Sequence, residues 1–199
     1  MSTDNVFAAL PDVDPRAQLR LRARLAASAA DAGILDVAYR TLDTPVGTLL
    51  LAATERGLVR VAYASQDHDA VLTELADRVS PRVLEAPARL DVAAHEIEEY
   101  FAGRRQLFDL PLDLRLSSGF RRTVLDHLRD IGYGTTASYA AVAAAAGNPK
   151  AVRAVGTACA MNPLPVVVPC HRVVRSDGTM GQYAGGTDAK RALLALEAA

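Results

Sequence analysis

The chain has 199 residues, half of them hydrophobic, enough for one large core or two small ones. It contains no apolar run of about 18 residues, which excludes a membrane-spanning helix. Met1 is followed by polar and acidic residues, where a secretory leader would carry a basic patch and an apolar run. The net charge of −1 conceals an asymmetry. Residues 1–99 carry 10 basic and 16 acidic side chains, and residues 100–199 carry 12 and 7, so the second half suits a polyanionic partner unless the imbalance is only solvated surface charge. Two cysteines, Cys159 and Cys170, make no disulfide framework, and Cys and His are not clustered at zinc spacing. A reduced, cytoplasmic setting without a metal or cofactor is expected.

In chain order, Pro11 and Pro15 interrupt the start, and Arg16 to Ala32 reads as a helix stopped by Gly33, with Leu21, Leu25 and Ala29 on one face. This extension is expected to pack loosely on the body, a partner-binding arm being the alternative. Strands follow over Ile34–Leu42, Thr48–Ala53 and Leu58–Tyr63, separated by the turns Thr44-Pro45-Val46-Gly47 and Glu55-Arg56-Gly57, which makes an antiparallel meander. Helices are predicted over Asp69–Arg78 and Asp91–Phe101, and a short strand over Phe108–Leu112. From Gly119 the texture becomes helical: Phe120–Ile131 is amphipathic, Ser138 caps a helix Tyr139–Ala146, and Gly147-Asn148-Pro149 turns into a helix Lys150–Met161. The last pair has the form of a helix-turn-helix, although most such pairs are packing helices. The division is therefore an extension (1–33), a small α/β domain of mostly antiparallel sheet (34–115) and a helical domain (116–199).

After Asn162-Pro163 comes the apolar run Leu164–Val168, then Pro169-Cys170-His171-Arg172-Val173-Val174. A lone cysteine after such a run is usually a small core residue. Here a potential base, His171, and the basic Arg172 stand beside it, and a thiol with an ordinary pKa of about 8.5 needs such help to act as a nucleophile at neutral pH. Adjacent residues of an extended segment point to opposite faces, so His171 is not expected to touch Cys170 directly.

Pro-Cys-His-Arg-Val resembles the active-site motif of the O6-alkylguanine-DNA alkyltransferases, the methylated-DNA–protein-cysteine methyltransferases. So do Gly147-Asn148-Pro149-Lys150, Arg153-Ala154-Val155-Gly156, Asn162-Pro163, Gly181-Gln182-Tyr183-Ala184-Gly185-Gly186, Lys190 and Glu197, all in the family's order and spacing. The likeness covers residues 34–199. It implies an α+β fold, with an RNase H-like domain ahead of a winged helix-turn-helix-like domain. It also implies a suicide DNA repair protein that flips O6-alkylguanine out of double-stranded DNA and keeps the alkyl group on Cys170.

By this resemblance, His171 would be the base for Cys170 through a bridging water. Glu197 would orient the histidine, Tyr139 would protonate the leaving guanine, and Asn162 would be the hinge to the cysteine loop. Arg153 would fill the gap left by the flipped nucleotide, on a recognition helix made slim by Ala151, Ala154, Gly156, Ala158 and Ala160, with Lys150, Arg121 and Arg122 as further DNA contacts. Tyr183, Ala184, Gly185 and Val173 would line the base pocket, and Lys190 would hold the active-site loop. The protein would work as a monomer, with cooperative assembly on DNA open.

Some positions depart from better-studied members. Ala184 stands where several have Ser, and Ala160 and Met161 place no charge at the end of the recognition helix. The rival readings are a non-enzymatic reader of alkylated DNA on the same fold, which would lack the nucleophile, and a thiol hydrolase, which would have no use for Arg153 on a slim helix.

Overall fold

The computed structural model describes residues 14–198; the break expected at Pro11 lies outside them. Helix α1 (Pro15–Asp31) is capped by Asp14, whose carboxylate accepts from the Arg16 N–H at 3.0 Å. Its buried face matches the expected one only at Ala29: Ala26 joins it inside, while Leu21 and Leu25 are exposed. The helix lies against the segment around Glu85, held there by the Arg22–Glu85 ion pair. Alanines allow that close approach where leucines would not.

Strands β1 (Val37–Leu42), β2 (Leu49–Thr54), β3 (Gly57–Tyr63) and β4 (Val83–Glu85) form one sheet in the order β3-β2-β1-β4. The meander is antiparallel, and β4, which the sequence did not reveal, pairs parallel to β1. All six residues of β2 are buried, so the strand is apolar from Leu49 to Ala53 instead of alternating, and only Thr54 at its end is polar. Helix α2 (His68–Arg78) covers one face through Val71 and Leu75. On the other face, Leu51, Val61 and Tyr63 share a core with Ile97 and Tyr100 of α3 (Asp91–Phe101) and with Val166, Val168, Cys170 and Leu193 further along the chain.

The edge of β3 is covered. Residues 108–112 form no strand of their own but bridge to it through Leu112, and the Val61 N–H donates to the Pro163 carbonyl at 2.8 Å. The turn leading to the cysteine is thereby tied to the sheet.

The second half packs α4 (Gly119–Leu128) against α5 (Tyr139–Ala145) and α6 (Val152–Ala160). Both α4 and α6 are shorter than their amphipathic patterns. A two-residue parallel pair, β5 (Ala137–Ser138) with β6 (Val173–Val174), lies beside them, and α7 (Gly186–Glu197) closes the fold. Among the described residues no helix is long and apolar enough to cross a membrane.

Candidate active site and nucleic-acid face

Between Asn162 and Cys170 the chain is wholly buried and tightly turned. The Val168 N–H donates to the Leu164 carbonyl and the Cys170 N–H to the Val168 carbonyl, each at 2.8 Å. Val166 adopts φ of +74°, a left-handed conformation costing a β-branched residue about 1–3 kcal/mol. Asn162 holds the turn from inside: its Oδ1 accepts from the Leu164 N–H at 3.0 Å, and its Nδ2 donates to the Val168 carbonyl at 2.8 Å and to Cys170 Sγ at 3.1 Å. One amide therefore joins the end of α6 to the thiol.

Cys170, His171 and Arg172 form one 3₁₀ turn, not the extended segment expected. Burial pushes the Cys170 thiol up to about 11, against the opposing pull of the Asn162 hydrogen bond and the nearby Lys190 ammonium. At neutral pH it rests as a thiol and needs a base. His171 is fully buried, and burial lowers its pKa despite the neighbouring carboxylate, so the ring is held neutral. Its Nε2 lies 2.8 Å from Glu197 Oε1. An ionised carboxylate only accepts, so the proton sits on Nε2 and the Nδ1 lone pair is left over. Nδ1 is buried without a partner among the described residues, Cys170 included, so His171 makes no direct hydrogen bond to the thiol through it.

Glu197, which reads in the sequence as an ordinary surface residue near the C-terminal end, is 5 % exposed and gathers the site around itself. Arg172 donates to both of its oxygens at 2.9 Å, Tyr100 donates at 2.6 Å and the Gly134 N–H at 3.3 Å. Burial alone would raise its pKa, but the hydrogen bonds from His171 and Arg172 bring it down to about 2. Lys190 is fully buried and its Nζ donates to the Val173 carbonyl at 2.6 Å, which pins the strand leaving the cysteine turn.

The expected pocket residues divide. Tyr139 lines an open cleft of about 300 Å³ with Val152, Gly156, Gly181 and Gln182, and a Cβ on Gly181 would lie 2.2 Å from the Tyr139 hydroxyl. Tyr183 and Ala184 line a second cleft of about 320 Å³ with Ala160 and Gln182. Val173, expected to line the pocket largely through its backbone, has its side chain buried in the core. Gly185 has a packing reason of its own: a Cβ there would strike the Tyr63 ring at 2.6 Å. Tyr63, from β3, meets the Tyr183 hydroxyl at 3.0 Å.

On α6, Val155, Ala158 and Cys159 face inward, while Arg153, Ala154, Thr157 and Ala160 are exposed. Lys150 is exposed just before the helix, and Arg122 is paired with Asp126. The Arg121 guanidinium reaches the Met161 sulfur at 3.2 Å, so a cation does stand at the end of α6, where the local sequence offered none.

A helical pair with exposed cations thus stands one amide away from a buried thiol with a histidine–carboxylate pair behind it. The family model for the DNA binding domain of 6-O-methylguanine DNA methyltransferase matches residues 119–199, and that for its ribonuclease-like domain matches residues 37–114. The chain belongs to the 6-O-methylguanine DNA methyltransferase family. It is 40% identical over 161 residues to the methylated-DNA–protein-cysteine methyltransferase of Mycolicibacterium paratuberculosis, covering 81% of this chain and 92% of that one. The constitutive methylated-DNA–protein-cysteine methyltransferase of Bacillus subtilis is 39% identical, over 80% of this chain and 94% of its own. Among solved structures, the Mycobacterium tuberculosis protein crystallised in complex with DNA superimposes with a TM-score of 0.72 at 38% identity, over 81% and 92% of the two chains.

Three residues of this methyltransferase-family site escaped the sequence reading. Tyr63 and Tyr100 come from the sheet half of the chain, 70 or more residues before Cys170, and no local pattern marks them. Arg172 was read only as a basic neighbour of the thiol. Its tripeptide with Cys170 and His171 was the one available signal that it belongs to the machinery.

Proposed function

We propose that this chain repairs alkylated guanine in double-stranded DNA by transferring the alkyl group, once and irreversibly, to Cys170. The observation that carries this reading is the buried Cys170 thiol, held by Asn162 and backed by the neutral His171–Glu197 pair, directly behind α6. In the reaction, Arg153 occupies the space of the extruded nucleotide, and the guanine enters the clefts lined by Tyr139 and Tyr183. Lys150, Arg121 and the backbone at Ala154 and Gly156 hold phosphates, with Arg122 at the rim. The thiol proton passes to His171 Nδ1 through a water. Sulfur then bonds to the alkyl carbon as the carbon–O6 bond breaks, and the guanine takes a proton from Tyr139. The thioether has no good leaving group, so the protein acts once.

The same reading makes the protein a cytoplasmic monomer able to assemble cooperatively along DNA. Residues 1–33 are then an accessory extension, 34–115 a supporting domain, and 116–199 the DNA-binding and acceptor domain. A reader of alkylated DNA would bind as tightly but leave Cys170 unmodified.

Arg153→Ala should slow repair of alkylated duplex at least ~10-fold, because extrusion costs a few kcal/mol that the guanidinium offsets. Reaction with free O6-benzylguanine should change by less than about twofold. Parallel single-turnover assays on the two substrates decide this, and equal losses would remove Arg153 from base extrusion.

Alkylation should also destabilise the protein. Cys170 is 2 % exposed, so an added methyl has no room, and overpacking of this kind costs about 1–3 kcal/mol. For a chain of this size that lowers Tm by about 2–10 °C. Thermal unfolding of the methylated and free proteins tests it, and equal melting temperatures would contradict the tight packing.

A further inference from the structure

We propose that Tyr100, contributed by α3 from the sheet half of the molecule, is a positioning residue for alkyl transfer that keeps His171 available as a base. The inference rests on the reading of Cys170 and His171 given above. The Tyr100 hydroxyl donates to Glu197 Oε1 at 2.6 Å, the same oxygen that accepts from His171 Nε2 at 2.8 Å, and it stands 3.5 Å from that nitrogen. The tyrosine is fully buried, and its ring is packed by Phe101, Phe108 and Tyr133. The hydroxyl is therefore fixed in direction.

Its effect follows from competition for one oxygen. A carboxylate with few donors is a strong acceptor and favours a cationic imidazole beside it; each further hydrogen bond weakens that pull. Among the described residues, the charged and titratable groups around His171 comprise Glu197 and Lys190 from α7, Arg172 and Cys170 from its own turn, Tyr183 from the loop before α7, Tyr100 from α3, and Tyr133, which lies beside both Tyr100 and Arg172. Arg172 and Lys190 oppose protonation by charge. Of the neutral groups, Tyr100 is the one bonded to the Oε1 that faces the imidazole. With its hydroxyl gone, Glu197 draws a proton onto His171 at higher pH, and the imidazolium has no Nδ1 lone pair with which to accept the thiol proton.

The test is the pH dependence of single-turnover transfer for wild type, Tyr100→Phe and Tyr133→Phe. Among the described residues the Tyr133 hydroxyl bonds the Leu196 carbonyl and neither Glu197 nor His171, so that variant controls for loss of a half-buried hydroxyl nearby. The ratio of the Tyr100→Phe rate to the wild-type rate should be about threefold lower at pH 5.5 than at pH 8.5, while the Tyr133→Phe ratio stays flat. A Tyr100→Phe ratio independent of pH, or the same pH dependence in both variants, overturns the proposal. The ¹⁵N ring shifts of His171 separate this failure from a failure of the functional reading. If the wild type leaves no methyl on Cys170, the alkyl-transfer reading falls. The shifts must still move toward imidazolium at higher pH in Tyr100→Phe than in wild type, and identical shifts sink the role of Tyr100.

Discussion

Glu197→Gln is expected to lower stability at pH 7 by about 3–5 kcal/mol, the usual penalty for breaking one partner of a buried ion pair. Glu197 accepts from Arg172, His171, Tyr100 and the Gly134 backbone, and so joins α7, the cysteine turn, the sheet half and the loop after α4. A glutamine keeps the shape but offers one acceptor oxygen and turns an NH₂ group toward the donors Arg172, His171 and Tyr100, whose residues are 94 % or more buried. Arg172 is then left charged and unpaired.

The pH dependence gives the loss a signature. The folded pKa of Glu197, about 2, lies below its ordinary 4.5, so its contribution is fully present above 4.5 and fades as pH falls toward 2. The urea midpoint of the variant should lie far below that of the wild type at pH 7, and the gap should narrow between pH 4.5 and pH 2. A gap of the same size at pH 7 and pH 3 would mean that the carboxylate charge is not what holds the site. Transfer should suffer as well, because a neutral amide no longer fixes the proton on His171 Nε2.

Much of this was legible in the chain itself. The meander was visible because Gly47 and Gly57 punctuate three apolar runs, and the helical pair because Ser138 caps one helix and Gly147-Asn148-Pro149 ends it. The chemistry was concentrated in Pro169–Val174. What the sequence hid has a common physical origin: it depends on contacts distant along the chain. Strand β4 is three residues long, too short to show an alternating pattern; only its pairing with β1 makes it a strand. The inward face of α1 was misread because an alanine face and a leucine face are equally periodic, and the closeness of β4 decides between them. Tyr100 and Tyr63 are ordinary core aromatics until folding brings their hydroxyls to Glu197 and Tyr183. Glu197 looked exposed because nothing nearby in sequence announces the arginine, histidine and tyrosine that surround it.

Cys170→Ala is expected to abolish transfer altogether and to leave affinity for alkylated duplex within about threefold of wild type. The residues proposed to face DNA, Arg153, Lys150 and the exposed small side chains of α6, lie on or beside a helix whose end is joined to the thiol by the Asn162 amide. Removing the sulfur frees one Asn162 hydrogen bond, a net change of about 1 kcal/mol, and leaves the bonds to Val168 and Leu164 in place. Cys159 cannot substitute. It is buried on the inner side of α6, and burial raises its pKa further than that of Cys170, with no base at hand. Residual transfer in Cys170→Ala that disappears in Cys159→Ala would reverse the assignment.

The most direct measurement is the mass of the full chain after incubation with excess duplex carrying one O6-methylguanine, followed by peptide mapping. The expected result is a gain of one methyl group per molecule, located on the peptide containing Cys170, with the amount of repaired DNA equal to the amount of protein however long the incubation. Tight binding with no gain in mass, a methyl group on another residue, or repaired DNA in excess of protein would contradict it.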